Sequence, residues 1–177
     1  MNYKTIVADP PWKYDNKKTG GSHRSGAAQK YPTMSIEDIQ SLPIKELADS
    51  DSVLFLWGTT PLLPEALATM SAWGWKYKTT IYWHKTGRLG LGYWFRGQVE
   101  YCLVGIRGKV KAFRSQIPNI IIEKPRKHPQ KPLAFWHMVE NISPEPRIEL
   151  FARELRPGWH VWGNEVVSNI EMHKVDE

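Results

Sequence analysis

Apolar positions along this chain fall in short blocks separated by polar turns. Tyr3–Ala8 is a brief apolar run closed by Asp9-Pro10, which predicts a first β-strand. Ser52–Trp57 is apolar at every position after Ser52, as expected of a parallel strand buried on both faces. Trp75–Trp83 alternates in part, Glu100–Ile106 is again apolar, and both predict strands. Asn119–Ile122, Arg147–Phe151 and Trp159–Trp162 are shorter β-type runs, the last two flanking a Pro157-Gly158 turn. Gly108-Lys109 predicts a turn with Val110–Phe113 as a hairpin partner. Three helical segments stand between these strands. Ser35-Ile36-Glu37-Asp38 has the form of a capping box and opens a helix that Pro43 interrupts. Thr60-Pro61 opens a second, running to about Trp73 with Gly74 as its stop. Leu133–Ile142 is a third, ended by Ser143-Pro144.

Strands alternating with helices predict an α/β fold with a largely parallel sheet. The 177 residues predict a single domain, with a polar tail expected to fray over 165–177. Three segments lack either period. Lys13–Tyr31 is rich in Lys, Gly and Ser; Lys85–Gln98 is Gly-rich, basic and aromatic; Lys124–Pro132 is Pro-rich and basic. Long loops of this kind in a compact domain are usually functional or disordered.

Charge changes the picture next. There are 24 Lys and Arg against 18 Asp and Glu, a net charge of +6, with 9 Trp and 7 Tyr. Such a balance favours a polyanionic partner, most simply nucleic acid, because aromatics interleaved with cations suit stacking on bases. Lys85, Arg88, Arg96, Lys109, Lys111 and Arg114 are expected to form a basic rim. Cys102 is the only cysteine and lies in an apolar run, which excludes an internal disulfide and a thiolate zinc cluster. No His spacing suits a metal, no signal pattern opens the chain and no apolar run reaches membrane length. A cytoplasmic, soluble, metal-free protein is expected.

Candidate chemistry starts at Asp9-Pro10-Pro11-Trp12. An acid, two prolines and an aromatic at the mouth of a strand make a stiff polar notch. The Asp9 carboxylate and the Pro10 carbonyl can each accept one N–H of an amino group on a planar ring. That localises a lone pair otherwise delocalised into the ring. Trp12 offers a face for stacking, although the same four residues are also an ordinary strand exit under a core lid. His128-Pro129-Gln130-Lys131-Pro132, just before a helix, suits an anionic ligand. Arg153 closes an apolar strand at the end where α/β sheets bind ligands. Trp162-Gly163-Asn164-Glu165 can hydrogen-bond a ribose or adenine. Solvated charges or plain turns would account for each of these alone.

Taken in order, these segments resemble the MT-A70 group of adenosine methyltransferases and their bacterial and phage relatives. The resemblance rests on Ala8–Trp12, Tyr31-Pro32-Thr33-Met34-Ser35, Phe55-Leu56-Trp57, Trp83-His84-Lys85, Glu100–Gly105, His128–Pro132, Arg147–Arg153 and Gly163-Asn164. It implies a Rossmann-like, S-adenosylmethionine-dependent methyltransferase, permuted so that the catalytic motif precedes the cofactor strand. It implies catalytic roles for Asp9, Pro10, Pro11 and Trp12, with adenine N(6) as the methyl acceptor. Asp9, His128, Lys131, Phe151, Arg153, Asn164 and Glu165 would hold the cofactor. Tyr31, Lys85, Arg88, Arg96 and Glu100 would face the substrate. The chain departs from the group at Phe151-Ala152-Arg153, where many amino-methyltransferases carry a Gly-rich loop. It departs again at Glu154-Leu155, where eukaryotic relatives carry His-Asn. DNA is the first expectation for the substrate, with RNA, or a non-catalytic nucleic-acid-binding subunit, as alternatives. A homodimer is consistent with the group.

Overall fold

β1 (Tyr3–Ala8) runs through the interior of a seven-stranded sheet, and all its residues except Lys4 are buried. The computed structural model describes residues 2–13, 32–87, 89–90, 94–126 and 130–172. β2 (Ala48–Gly58) and β6 (Arg147–Leu150) flank β1, both parallel to it. β7 (His160–Trp162) lies parallel outside β6. On the other side β4 (Val99–Arg107) pairs antiparallel with both β2 and β3 (Lys76–Lys85). β5 (Ile120–Glu123) closes that edge, parallel to β3. The order is β5-β3-β4-β2-β1-β6-β7. Six strands therefore point one way and only β4 opposes them.

Helices cover both faces. α1 (Ile36–Gln40), α2 (Ile44–Leu47) and α3 (Leu63–Ala72) bury Ile39, Ile44, Ala66 and Met70 against Ile6, Ala8, Leu54 and Leu56. α4 (Leu133–Ile142) buries Phe135, Trp136 and Val139 against Val7, Val53, Phe55 and Trp57. β1 and β2 thus present alternate residues to two separate cores, so their sequences had to be apolar throughout. Local signals set the ends: Ser35 Oγ accepts from Asp38 N at 3.0 Å, and Gly74 at φ +95° stops α3. This is the helix-flanked, mostly parallel sheet that the sequence predicts.

Two expectations are corrected. Val110–Phe113 forms no strand: β4 is already paired on both sides, so a hairpin partner has no free edge to join. The tail is tied down well beyond Glu165. Val161 N donates to Asn169 Oδ1 at 2.8 Å, Asn169 N donates to Val161 O at 2.9 Å, and Ile170 and Met172 pack on the core. Residues 173–177 lie outside the described residues.

The strand directions locate the chemistry. The carboxyl ends of β1, β2, β3, β5, β6 and β7 share one sheet edge with the amino end of β4. Asp9, Lys85, Phe151 and Gly163 follow or end such strands, and Glu100 lies at the start of β4.

Candidate active site

Four charged side chains meet at that edge. Lys131 Nζ lies 3.0 Å from Asp9 Oδ2 and 3.0 Å from Glu100 Oε2, and Glu100 also pairs with Lys85 Nζ. The Lys131 ammonium sits 4.7 Å from the centroid of the buried Trp57 ring, and Lys85 sits 4.9 Å from that of Trp83. Burial pushes the Lys131 pKa down, but the Asp9 and Glu100 carboxylates outweigh it and hold the ammonium charged well above the ordinary range. Burial pushes Glu100 up, and Lys131 with Lys85 overcomes that and holds it ionised below the ordinary value. Two basic and two acidic side chains thus face one another in a cluster that is mostly out of water.

The Asp9 motif is built around this cluster. Trp12 N donates to Pro10 O at 2.8 Å, a tight turn that leaves the Pro10 carbonyl one lone pair for another donor. Met34 N donates to Pro11 O at 2.9 Å, and Trp12 pairs with Met34. The Trp12 ring is only 6% exposed, and its indole N–H donates to Trp57 O at 3.1 Å. Little of it is left for a base to stack on. Trp12 fastens the chain after β1 to the end of β2, and its burial leaves little of the stacking face expected there.

The other predicted residues divide into groups. Lys85, Glu100 and Lys131 are brought together with Asp9, although they come from three parts of the chain. Around the end of β6, Phe151 adopts φ +61° and lies edge-on to Trp162, with centroids 5.3 Å apart. Arg153 NH1 is 3.3 Å from Glu165 Oε1, and Asn164 is exposed beside them. A Cβ at Gly163 would meet Ala152 O at 2.2 Å, so only glycine lets the ends of β6 and β7 approach this closely. Arg96 is exposed. Tyr31, Arg88 and His128 lie outside the described residues. The α4 end is not free for an anion, because Glu123 accepts from Leu133 N at 3.2 Å and Ala134 N at 3.3 Å. The basic rim is also corrected. Lys109 and Lys111 line a cavity of about 800 Å³ with Lys4, Asp51 and Arg147, at the opposite end of the sheet from Asp9.

Sequence reasoning missed Glu149. It lies on β6 facing the α4 core, and Oε2 has no hydrogen-bond partner; Arg156 Nε is 3.8 Å away, too long for one. Burial raises its pKa; Arg156 and Lys131 oppose the rise, Asp9 and Glu154 add to it, and the value reaches about 7. The signal was an acid between Ile148 and Leu150 in an otherwise apolar strand.

The MT-A70 family model matches residues 3–165. The Type II methyltransferase M.MunI of Mycoplasma sp is 31% identical, over 94% of this chain and 79% of that protein. The human N(6)-adenosine-methyltransferase catalytic subunit METTL3 is 29% identical over 93% of this chain and 28% of that protein. The Arabidopsis thaliana N(6)-adenosine-methyltransferase MT-A70-like is 29% identical over 93% and 24%. The chain thus spans most of the bacterial relative and about a quarter of the plant and animal ones.

Proposed function

Because this chain belongs to the MT-A70 family, we propose that it transfers a methyl group from S-adenosylmethionine to the N(6) amino group of adenine in DNA. The observation that carries this reading is the Asp9–Lys131–Glu100 cluster at the carboxyl edge of the sheet, with the Pro10 carbonyl beside it. The DNA reading follows the bacterial relative, of which the chain covers 79%, rather than the adenosine methyltransferases.

The residues present fit the cosubstrate. Glu149 Oε2 is an orphaned buried carboxylate oxygen within electrostatic reach of Asp9, which suits a cationic ligand. The half-buried Phe151 ring and the close crossing at Gly163 make a flat ledge beside Arg153, Asn164 and Glu165. When bound, S-adenosylmethionine supplies an electrophilic methyl group with a good leaving group, so no covalent enzyme intermediate is needed. Asp9 and the Pro10 carbonyl accept the two amino N–H bonds and turn the nitrogen lone pair out of the ring. Lys131, 3.0 Å from Asp9 Oδ2, fixes the orientation of that carboxylate, while Trp12 holds the turn rigid. One N–H proton is lost to solvent as the N–C bond forms. Alignment of this kind can contribute roughly 7–11 kcal/mol to catalysis.

Asp9→Asn keeps the side-chain shape and removes the anionic acceptor. Methyl transfer to duplex DNA should fall at least about a hundredfold while cooperative thermal unfolding persists. Near-wild-type transfer by Asp9→Asn would overturn the assignment.

The wider reading is a cytoplasmic enzyme with one methyltransferase domain over 1–177, supported by a single sheet built from strands between Tyr3 and Trp162. Among the described residues no helix is long and apolar enough to cross a membrane, and no group of side chains is arranged to hold a metal ion. A homodimer is supported by the exposed apolar strip Tyr82, Ile120 and Ile122 at the β5 edge.

A further inference from the structure

We propose that Trp94 and Phe95 form a wedge that enters the duplex beside the target adenine and fills the gap left when that adenine is extruded. The inference rests on the DNA reading above and deepens it. Trp94 is 94% exposed and Phe95 88%, the highest values among the exposed large hydrophobic side chains of the described residues. They do not hang on a slack loop. Lys85 N donates to Gln98 O at 2.7 Å and Gly90 N to Gly97 O at 2.9 Å, so two backbone hydrogen bonds draw the loop into a neck beyond β3 and β4. This neck is narrow: a Cβ at Gly90 would stand 2.5 Å from Gly97 O. Trp94, Phe95 and the exposed Arg96 therefore sit together just beyond this pinched neck.

The neck grows from the strands that carry the site. Val99 pairs with His84 and Glu100 with Trp83, and Glu100 holds both Lys85 and Lys131. Glu100 lies five positions after Phe95, a reach of at most about 18 Å. The tip is thus tethered to the acid cluster but stands outside it, which suits a neighbour of the target base rather than the base itself. An adenine inside a duplex cannot reach Asp9 unless it leaves the stack, and the vacated step must then be filled or it closes again. Apolar side chains inserted between base steps do this elsewhere, and each of these rings offers roughly 150–250 Å². Arg96 adds a cation at the tip for the flanking phosphates, in a chain of net charge +6.

The test compares the wild type with Phe95→Ala and the Trp94→Ala/Phe95→Ala double variant on three substrates. These are a duplex carrying a site mapped by methylation of genomic DNA, the same duplex with an abasic position opposite the target adenine, and the target strand alone. 2-Aminopurine at the target position reports extrusion by its fluorescence. The double variant should lose about tenfold or more in kcat/KM on the matched duplex. It should regain most of that on the abasic duplex and the single strand, and should lose the fluorescence rise that the wild type produces. An equal loss on all three substrates would overturn the wedge, as would no loss on any. A change in sedimentation of the variant would also overturn it, because the tip would then be covered by a second copy. Wild-type enzyme that methylates RNA but none of the DNA forms would sink the DNA reading and the wedge with it. Wild-type enzyme that methylates the duplex no better than the variant does sinks the wedge alone.

Discussion

Lys131 has two carboxylates and a tryptophan ring for neighbours, and this decides what its removal does. In Lys131→Met, Asp9 and Glu100 would share the edge without their common cation, although Lys85 still serves Glu100. Breaking a mostly buried ion pair from one side costs about 3–5 kcal/mol. The loss should be fullest above the ordinary carboxylate range, because the depressed Glu100 pKa contributes stability there that disappears as pH falls. Urea unfolding of Lys131→Met should therefore show a large deficit at pH 8 that shrinks toward pH 4. Glu149 works in the opposite sense. Its pKa rises from 4.5 to about 7, so it costs nothing below about pH 4.5 and progressively destabilises the fold up to about pH 7. Glu149→Gln should gain up to about 3 kcal/mol over the wild type at pH 8 and nothing at pH 4. A uniform gain across that range would show that the buried charge is not the cause. Asp9 was legible in the sequence because an acid directly after an apolar strand must lie at the strand mouth. Glu149 was not, because which face it takes depends on the strands beside it.

Among elements, legibility followed burial on both faces. β1 and β2 read directly as strands because two cores demand unbroken apolar runs. α1 read directly because Ser35 caps Asp38 N. Val110–Phe113 misled because a Gly-Lys turn after a strand says nothing about whether that strand has a free edge for a hairpin partner. The tail misled for a related reason. Asn169 stitches back onto Val161 through its side chain and backbone, a contact between polar groups with no periodic signature. The helix end before α4 misled differently: a loop rich in Lys and His pointed to an anion, but Glu123, brought by β5, already accepts the first N–H groups.

Across the described residues, the basic side chains are not gathered on one rim. Lys109 and Lys111 stand at the amino ends of the parallel strands, away from Asp9. Arg96 stands beyond the neck on the site side. Charge therefore separates the two ends in a way that composition could not. Lys109→Glu/Lys111→Glu should leave DNA affinity within about twofold, whereas Arg96→Glu should weaken it and lower the slope of log affinity against log salt by about 1. Fluorescence anisotropy across a salt series reads both, and equal losses would place the nucleic acid on both ends. The central claim is the identity of the acceptor, and it has a direct measurement. The protein is incubated with labelled S-adenosylmethionine and, separately, duplex DNA, single-stranded DNA and RNA, and the modified nucleoside is identified by mass spectrometry. The account predicts N(6)-methyladenine in DNA; label confined to RNA, or carried on cytosine, would contradict it.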